Sequence, residues 1–339
     1  MTRISLRYLA YRLIVSYFVI LGIMTLAFLL LRLMPGSFAD AMISPKMPEE
    51  ARDRIREQYN LDEPLWRQYI SFMVNYQTGE FGWSPSKNTE VWSLIKRRLP
   101  RTMVLFGAAF IFGYIIGPLV GMYLGWWRGT KRDKSIFAGG LVAYSMPAFW
   151  IAWLLIWLLN YQLGWFESSY MMTQYPSDHP FLDPFKESQW NWWRASLDVL
   201  HRITLPLLSI ISVGWVGAML VMRTQMNTVI DSDYVYLAKA KGLSERTVMI
   251  KHAARNALIP VATQAIVGVA FIVDGAVIIE VVFSYPGMGE LILTSVLRRD
   301  YPTAQAVFFV LGVLIVVMRL LTDIAYTYLD PRISFEGGE

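Results

Sequence analysis

Cysteine is absent from the 339 residues, which excludes a disulfide framework and any thiolate metal site. Histidine is almost as scarce, with only His179, His201 and His252. These fall in loops or at the ends of apolar runs, so no metal or nucleophile–base set converges inside the apolar segments, as a membrane-embedded hydrolase would need. His179, isolated among prolines and aspartates, reads as a structural or solvated residue. No GxxxxGK[ST] phosphate loop occurs, so the chain does not itself bind and hydrolyse ATP through that device. Charge is low as well: 17% of residues are charged against 55% hydrophobic, too apolar for a soluble domain of this size. A net charge of +5 is, taken alone, compatible with a nucleic-acid partner. The basic residues cluster beside apolar runs, however, which is the signature of membrane topology.

What is present is a series of long apolar runs. Arg3, Arg7 and Arg12 precede an uncharged stretch from Leu13 to Leu31, about the length needed to span a bilayer. A secretory signal is the competing reading, with Ala39-Asp40-Ala41 as a loose cleavage site. The run is too long for it, and Arg32 and Pro35 intervene. Residues 35–101 turn polar with nearly balanced charge, and Leu65, Tyr69, Phe72 and Met73 mark one face of a helix there. Thr102 to Trp127 predicts a second span. In it Gly113, Gly117, Gly121 and Gly125 recur every four residues, the spacing of a close helix contact.

The basic stretch Arg128 to Lys134 is assigned to the cytoplasm by the positive-inside rule. Ser135 to Phe166 predicts a third span, interrupted at Ser145-Met146-Pro147-Ala148-Phe149. Proline there removes a backbone donor and kinks the helix; a kink beside a translocation path and simple helix geometry both fit. Trp150, Trp153 and Trp157 share a face, read as packing. An aromatic outer loop (164–202) leads to a fourth span, Ile203 to Met222, and Asn256 to Val282 predicts a fifth. Asp274 lies near its middle, where a carboxylate costs roughly 2.5–3.5 kcal/mol. It must therefore face the bundle interior, a partner subunit or a water-filled path. Ala304 to Tyr328 predicts a sixth span, which returns both termini to the cytoplasm of a multi-pass cell-membrane protein.

Between the fourth and fifth spans lies a polar, basic island. Asp233 to Pro260 reads as helix, break, helix. Gly242 supplies a left-handed C′ position, Ser244 is a candidate cap with Thr247 three residues on, and the second helix is expected to run until Pro260. Geometry alone fits either a docking knob or an ordinary cytoplasmic loop.

This island resembles the EAA-type coupling loop of permeases of binding-protein-dependent ABC transporters, specifically the dipeptide/oligopeptide/nickel branch. The resemblance rests on Asp233, Tyr234, Ala238, Ala240, Lys241, Gly242, Leu243, Ser244, His252, Arg255, Asn256, Ala257 and Pro260. Tyr236 replaces the Glu of the generic motif. The resemblance extends to Leu61, Asp62, Pro64, Leu65, Gln68, Tyr69, Gly79, Phe81, Gly82, Ser84, Val91, Leu99, Pro100 and Thr102, and to Arg298-Arg299-Asp300-Tyr301-Pro302. Near Pro35-Gly36 it departs from the family, with Ser37-Phe38 in place of Asp-Pro.

The resemblance implies an all-α polytopic membrane protein of six transmembrane helices. Residues 1–34 would be the cytoplasmic N-terminus and first span, and 35–101 an extracytoplasmic helical insertion. Residues 102–339 would form the permease core, with a coupling segment at 224–258. It implies a non-catalytic permease subunit of an importer, with no cofactor bound by this chain and ATP-Mg held on two partner ATP-binding subunits. Its other partners would be a homologous second permease and an extracytoplasmic substrate-binding protein, with no nucleic acid. The outer insertion would help to receive that binding protein, or only cap the outer face.

ATPase coupling is expected at Tyr236, Ala238, Ala240, Lys241, Gly242, Leu243, Ser244 and Glu245, and the translocation path at Ser145, Pro147, Phe149 and Asp274. Peptide is the first substrate expectation, with an oligosaccharide or a nickel chelate as alternatives. A proton-coupled secondary carrier using Asp274 is the rival of another class; the inverted repeats it would need are not evident.

Overall fold

A computed structural model describes residues 6–32, 49, 50, 53, 56, 63–166, 192–269 and 276–329. They are helical apart from short turns and one two-stranded hairpin. Among them, four helices are long and apolar enough to cross a membrane, or five if a bent pair counts as one span. The chain is therefore an all-α polytopic membrane protein. The expected fifth span is described only as Arg255–Val269 and Ala276–Val282; Asp274 lies outside the described residues.

Two compact units form, Met1–Thr102 with Pro286–Leu321, and Met103–Tyr285 with Thr322–Glu339. The first contains the apolar helix Leu6–Arg32 and the helix Leu65–Thr78, which ends on Gly79 at φ +83°. That angle is free of Cβ strain only in glycine. The unit's core is aromatic. Phe28 meets Tyr69 and Phe72 at 5.3 and 5.5 Å between ring centroids, Tyr76 lies 4.1 Å from Phe72 and 5.1 Å from Phe81, and Phe309 closes on Tyr76 at 5.4 Å. Tilted and edge-on rings of this kind fill a core with little side-chain entropy to lose. The hairpin pairs Trp83 with Glu90 and Ser84 with Thr89. Its buried Ser84 donates to Asp300, as does Ser86 at 2.6 Å. Asp300 Oδ1 in turn accepts from the Thr303 backbone amide at 3.3 Å, at the start of helix Tyr301–Leu329.

In the second unit the helix Val91–Trp126 packs, from Met103 onward, against Trp192–Val229. Both helices are longer than the spans expected from hydropathy. The expected close contact is present. An added Cβ on Gly117 would sit 2.3 Å from the Trp215 carbonyl oxygen, and one on Gly121 2.4 Å from that of Met219.

The expected third span is broken more sharply than a kink. Helices Lys131–Ser145 and Ala148–Gln162 meet at 102°. Met146 and Pro147 are extended (ψ 137° and 132°), so Pro147 opens the second helix instead of bending one helix from within. Ala148 and Ala152 face the cluster of Leu105, Phe106, Val199, Ile203, Leu205, Ile279, Phe283 and Tyr285. Trp150, Trp153 and Trp157 point away from it and are exposed, so the packing expected of these tryptophans is not made among the described residues. The small alanines give the opposite face its close approach.

Candidate functional site

The basic island folds as two short helical arms. Trp192–Val229 ends at Ile230, and Ser232, extended at ψ 148°, starts the first arm, Asp233–Ala240. Asp233 in its first turn and Lys239 in its last complement the helix dipole. The arm closes with Lys241 N donating to Leu237 O at 3.1 Å and Gly242 N to Lys239 O at 2.9 Å. Gly242 sits at φ +72°, as expected for a left-handed stop. The second arm begins after Ser244, but its hydroxyl caps no backbone amide. It pairs instead with Thr247 Oγ1 at 2.9 Å; with threonine where a capping box has Glu or Gln, two hydroxyls satisfy each other. Nor does the arm end at Pro260. It passes through π-helical turns at Val248–Ala254 into Arg255–Val269, with Pro260 inside.

The two faces of this structure differ. Val235, Ala238, Val248, Met249, Ala253, Ala254, Ala257 and Val261 pack with Met222 and Met226 in one apolar cluster. On the other face Tyr236 is 75% exposed and Leu237 56%, with Leu243 and Ile250 exposed beside them. Lys239, Lys241, Arg246, Lys251 and Arg255 are exposed on the same arms. An apolar patch with a charged surround is the pattern of a protein-docking surface. Of the residues expected at the coupling surface, Tyr236, Ala240, Lys241, Gly242, Leu243, Ser244 and Glu245 are exposed. Ala238 is 4% exposed: it is turned inward, so it holds the arm to the bundle and offers no surface.

Two ion pairs tie this region down. Asp133, only 2% exposed, accepts from Arg223 Nε at 2.9 Å and Nη2 at 3.0 Å, and from the Gly129 amide at 2.8 Å. The Arg223 guanidinium also lies 4.3 Å from the Phe137 ring centroid. Closer to the first arm, Arg128 grips Asp231 with both terminal nitrogens at 2.8 Å. Those hydrogen bonds hold the Asp231 carboxyl below its usual pKa. Lys239 sits 5.1 Å over the Trp126 ring.

In the broken span, Ser145 Oγ donates to Leu141 O at 2.8 Å, while Pro147 and Phe149 are exposed. Ser145, Pro147 and Phe149 thus gather at one break.

Comparison with known proteins agrees with this geometry. Residues 117–335 match the family model described as "Binding-protein-dependent transport system inner membrane component". Residues 5–106 match the model of the N-terminal part of such membrane components. The chain belongs to this family. The permease is similar to the oligopeptide transport system permease protein AppB of Bacillus subtilis (strain 168), 32% identical over 329 residues, covering 97% of this chain and 99% of that one. It is also similar to the di/tripeptide transport system permease protein DppB of Pseudomonas aeruginosa (strain UCBPP-PA14), 32% identical over 325 residues, covering 93% and 95%.

Sequence reasoning missed the permease's anchoring pairs. In the sequence Arg128 and Asp133 are only part of a basic stretch, Arg223 is the residue just past the expected fourth span, and Asp231 carries no signal. Asp133 carried a signal, as the one acid inside RGTKRDK, but its partner is 90 positions away.

Proposed function

We propose that this permease forms, with a homologous second permease, the translocation path of an ATP-driven importer of di- and oligopeptides. An extracytoplasmic binding protein delivers the peptide, and two separate subunits bind and hydrolyse ATP. The observation that carries this reading is the two-faced coupling segment. One face is packed into the bundle through Val235, Ala238, Val248 and Met249, and the other presents Tyr236, Leu237, Leu243 and Ile250 to a partner. The peptide substrate is supported by the relatives' names and by identity along nearly the whole chain.

Six spans with both termini in the cytoplasm are consistent with this role. They are the four long apolar helices, the bent pair and the region from Arg255 to Val282. The basic Arg128 to Lys134 loop and the coupling segment then share the inner side. Closure of the ATPase pair draws two coupling segments together. The Arg128–Asp231 and Asp133–Arg223 pairs pass that displacement to the neighbouring helices, and the bundle rocks between outward and inward access. Ser145, Pro147, Phe149 and Asp274 are assigned to the path, and Tyr236 and Ala240 to Glu245 to the ATPase surface.

Gentle purification of the tagged permease from its native membrane tests the assembly. A second permease, ATP-binding subunits and a binding protein with trapped peptide are expected. Tyr236→Asp with Leu243→Asp should remove the ATP-binding subunits while the second permease stays. Recovery of the chain alone, with no ATPase even after crosslinking at Gly242 to Ser244, overturns the reading.

A further inference from the structure

The helix Leu65–Thr78 has two apolar faces, and among the described residues only one of them is packed. Tyr69, Phe72 and Tyr76 enter the aromatic core. Trp66, Ile70 and Val74 lie on the other side and are exposed, each by more than half: 60, 54 and 54%. Trp66, Ile70 and Val74 are four residues apart, so they form one stripe along the helix.

What covers that stripe follows from where the helix lies. Thr25 Oγ1 and Tyr69 OH share a hydrogen bond of 2.8 Å, and Tyr17 OH donates to Gln77 Oε1 at 3.1 Å. Tyr17 and Thr25 both belong to the membrane-crossing stretch Ala10–Leu29, of which only 11% is buried inside the structure. The helix therefore runs alongside a candidate membrane span whose own Leu13, Ile14, Phe18 and Leu26 are exposed and apolar. Charge agrees. Arg67 is the one ionised side chain between Leu65 and Thr78. It sits at the N-terminal end, paired with Glu63 at 2.8 Å and 5.1 Å from the Trp66 ring centroid. A cation and a tryptophan at one end of an otherwise uncharged helix are the anchors of a membrane interface.

We propose that Leu65–Thr78 is embedded in lipid, with Trp66, Ile70 and Val74 in contact with acyl chains, and is not a water-exposed part of the receiving region. Assignment to the outer leaflet rests on the topology proposed above; the lipid contact does not.

The absence of cysteine from the chain makes a direct test possible. Ile70→Cys and Val74→Cys are introduced one at a time, labelled with a nitroxide, and reconstituted as the whole transporter in phospholipid nanodiscs. The complex with the unsubstituted chain supplies the background. Phe18→Cys, on the exposed face of the span, is the lipid reference, and Lys96→Cys the aqueous one. The ratio of oxygen to water-soluble nickel-chelate collisions at 70 and 74 should match that at 18 and exceed that at 96 several-fold. A bimane at the same positions should be quenched by brominated acyl chains, which checks the result without the nitroxide. Nickel-favoured collisions as at 96 overturn the proposal. So does shielding from both reagents, which would mean that a protein, the binding protein or the second permease, covers the stripe.

Discussion

Replacing Gly121 with alanine should loosen the permease although it adds a single methyl group. The added Cβ would stand 2.4 Å from the Met219 carbonyl oxygen, 2.8 Å from Met222 Cβ and 3.0 Å from the Arg223 amide nitrogen. An ordinary carbon–oxygen approach is about 3.3–3.6 Å, so the overlap is roughly 1 Å, and the obstructing atoms are mainly backbone. No rotamer change relieves it; the two helices must part. Overpacking of this kind costs about 1–3 kcal/mol, partly offset by the roughly 1 kcal/mol that alanine gains over glycine in a helix.

The same geometry at Gly117, 2.3 Å from the Trp215 carbonyl oxygen, predicts the same loss. Gly113 belongs to the same sequence repeat, but its nearest neighbour would be 3.7 Å away, an ordinary contact, and Gly139 has nothing within 4 Å. The assay is the thermal midpoint of each tagged variant by fluorescence-detected size exclusion in one detergent. Gly113→Ala and Gly139→Ala should melt at or above the parent, and Gly117→Ala and Gly121→Ala several degrees below it. Equal midpoints for all four variants would refute the seam as the reason for these glycines.

Asp133→Ala should cost about 3 kcal/mol, the low end for breaking a buried pair, because the Arg223 side chain is 22% exposed. Asp133→Ala with Arg223→Leu should recover part of that loss in a double-mutant cycle. The Arg128–Asp231 pair is more exposed, so Arg128→Ala should have a small effect that vanishes in high salt. Because the Asp231 carboxyl is held below its usual pKa in the fold, its contribution is present above the unfolded-state value. It disappears as pH falls through the folded one; parent and Arg128→Ala midpoints should therefore converge in acid. Gly242→Val meets no neighbour, since nothing lies within 4 Å, but imposes the φ +72° strain of a branched residue, about 1–2 kcal/mol. It should lower peptide-stimulated ATP hydrolysis while leaving the amount of assembled permease unchanged.

Several parts of this molecule were legible in the sequence because they depend on nearest neighbours along the chain. The stop at Gly242 follows from one residue's freedom to take positive φ. The close seam follows from four glycines at helical spacing, although the sequence does not separate Gly113 from the other three. That difference depends on the crossing point with Trp192–Val229. The break at Pro147 was legible, but the 102° angle was not: a proline bends a continuous helix modestly, whereas extended Met146 and Pro147 end one helix and start another. The residues expected at the coupling surface could be read from the sequence as a stretch, but which of them are exposed could not. Ala238 and Ala240 look alike in sequence, and only the packing against Met222 and Met226 turns the first inward and leaves the second out. The anchoring pairs were illegible for the same reason, since Arg223 and Asp133 meet only when helices Lys131–Ser145 and Trp192–Val229 have packed.

For the proposed coupling role, the two ion pairs also supply the means by which this segment would carry force. A helical arm of eight residues, Asp233–Ala240, is too short to be stable alone in water. A load applied at Tyr236 or Leu237 would melt it before it moved the bundle, unless its inner face were held. Apolar packing through Val235 and Ala238 holds it against lifting, but non-directional contacts resist sliding poorly. Bidentate guanidinium–carboxylate pairs do resist it, because two parallel hydrogen bonds fix direction as well as distance. Arg128–Asp231 sits at the entry to the arm, and Asp133–Arg223 lies within the last two turns of the helix above it. The arrangement therefore fixes the segment where displacement must be transmitted. Tyr236, Leu237, Leu243 and Ile250 are left exposed for the proposed partner, so uncoupling variants should fall into two groups. Substitutions at Tyr236 and Leu243 should release the ATP-binding subunits, whereas substitutions at Arg128 and Arg223 should keep them bound and lose transport per ATP hydrolysed.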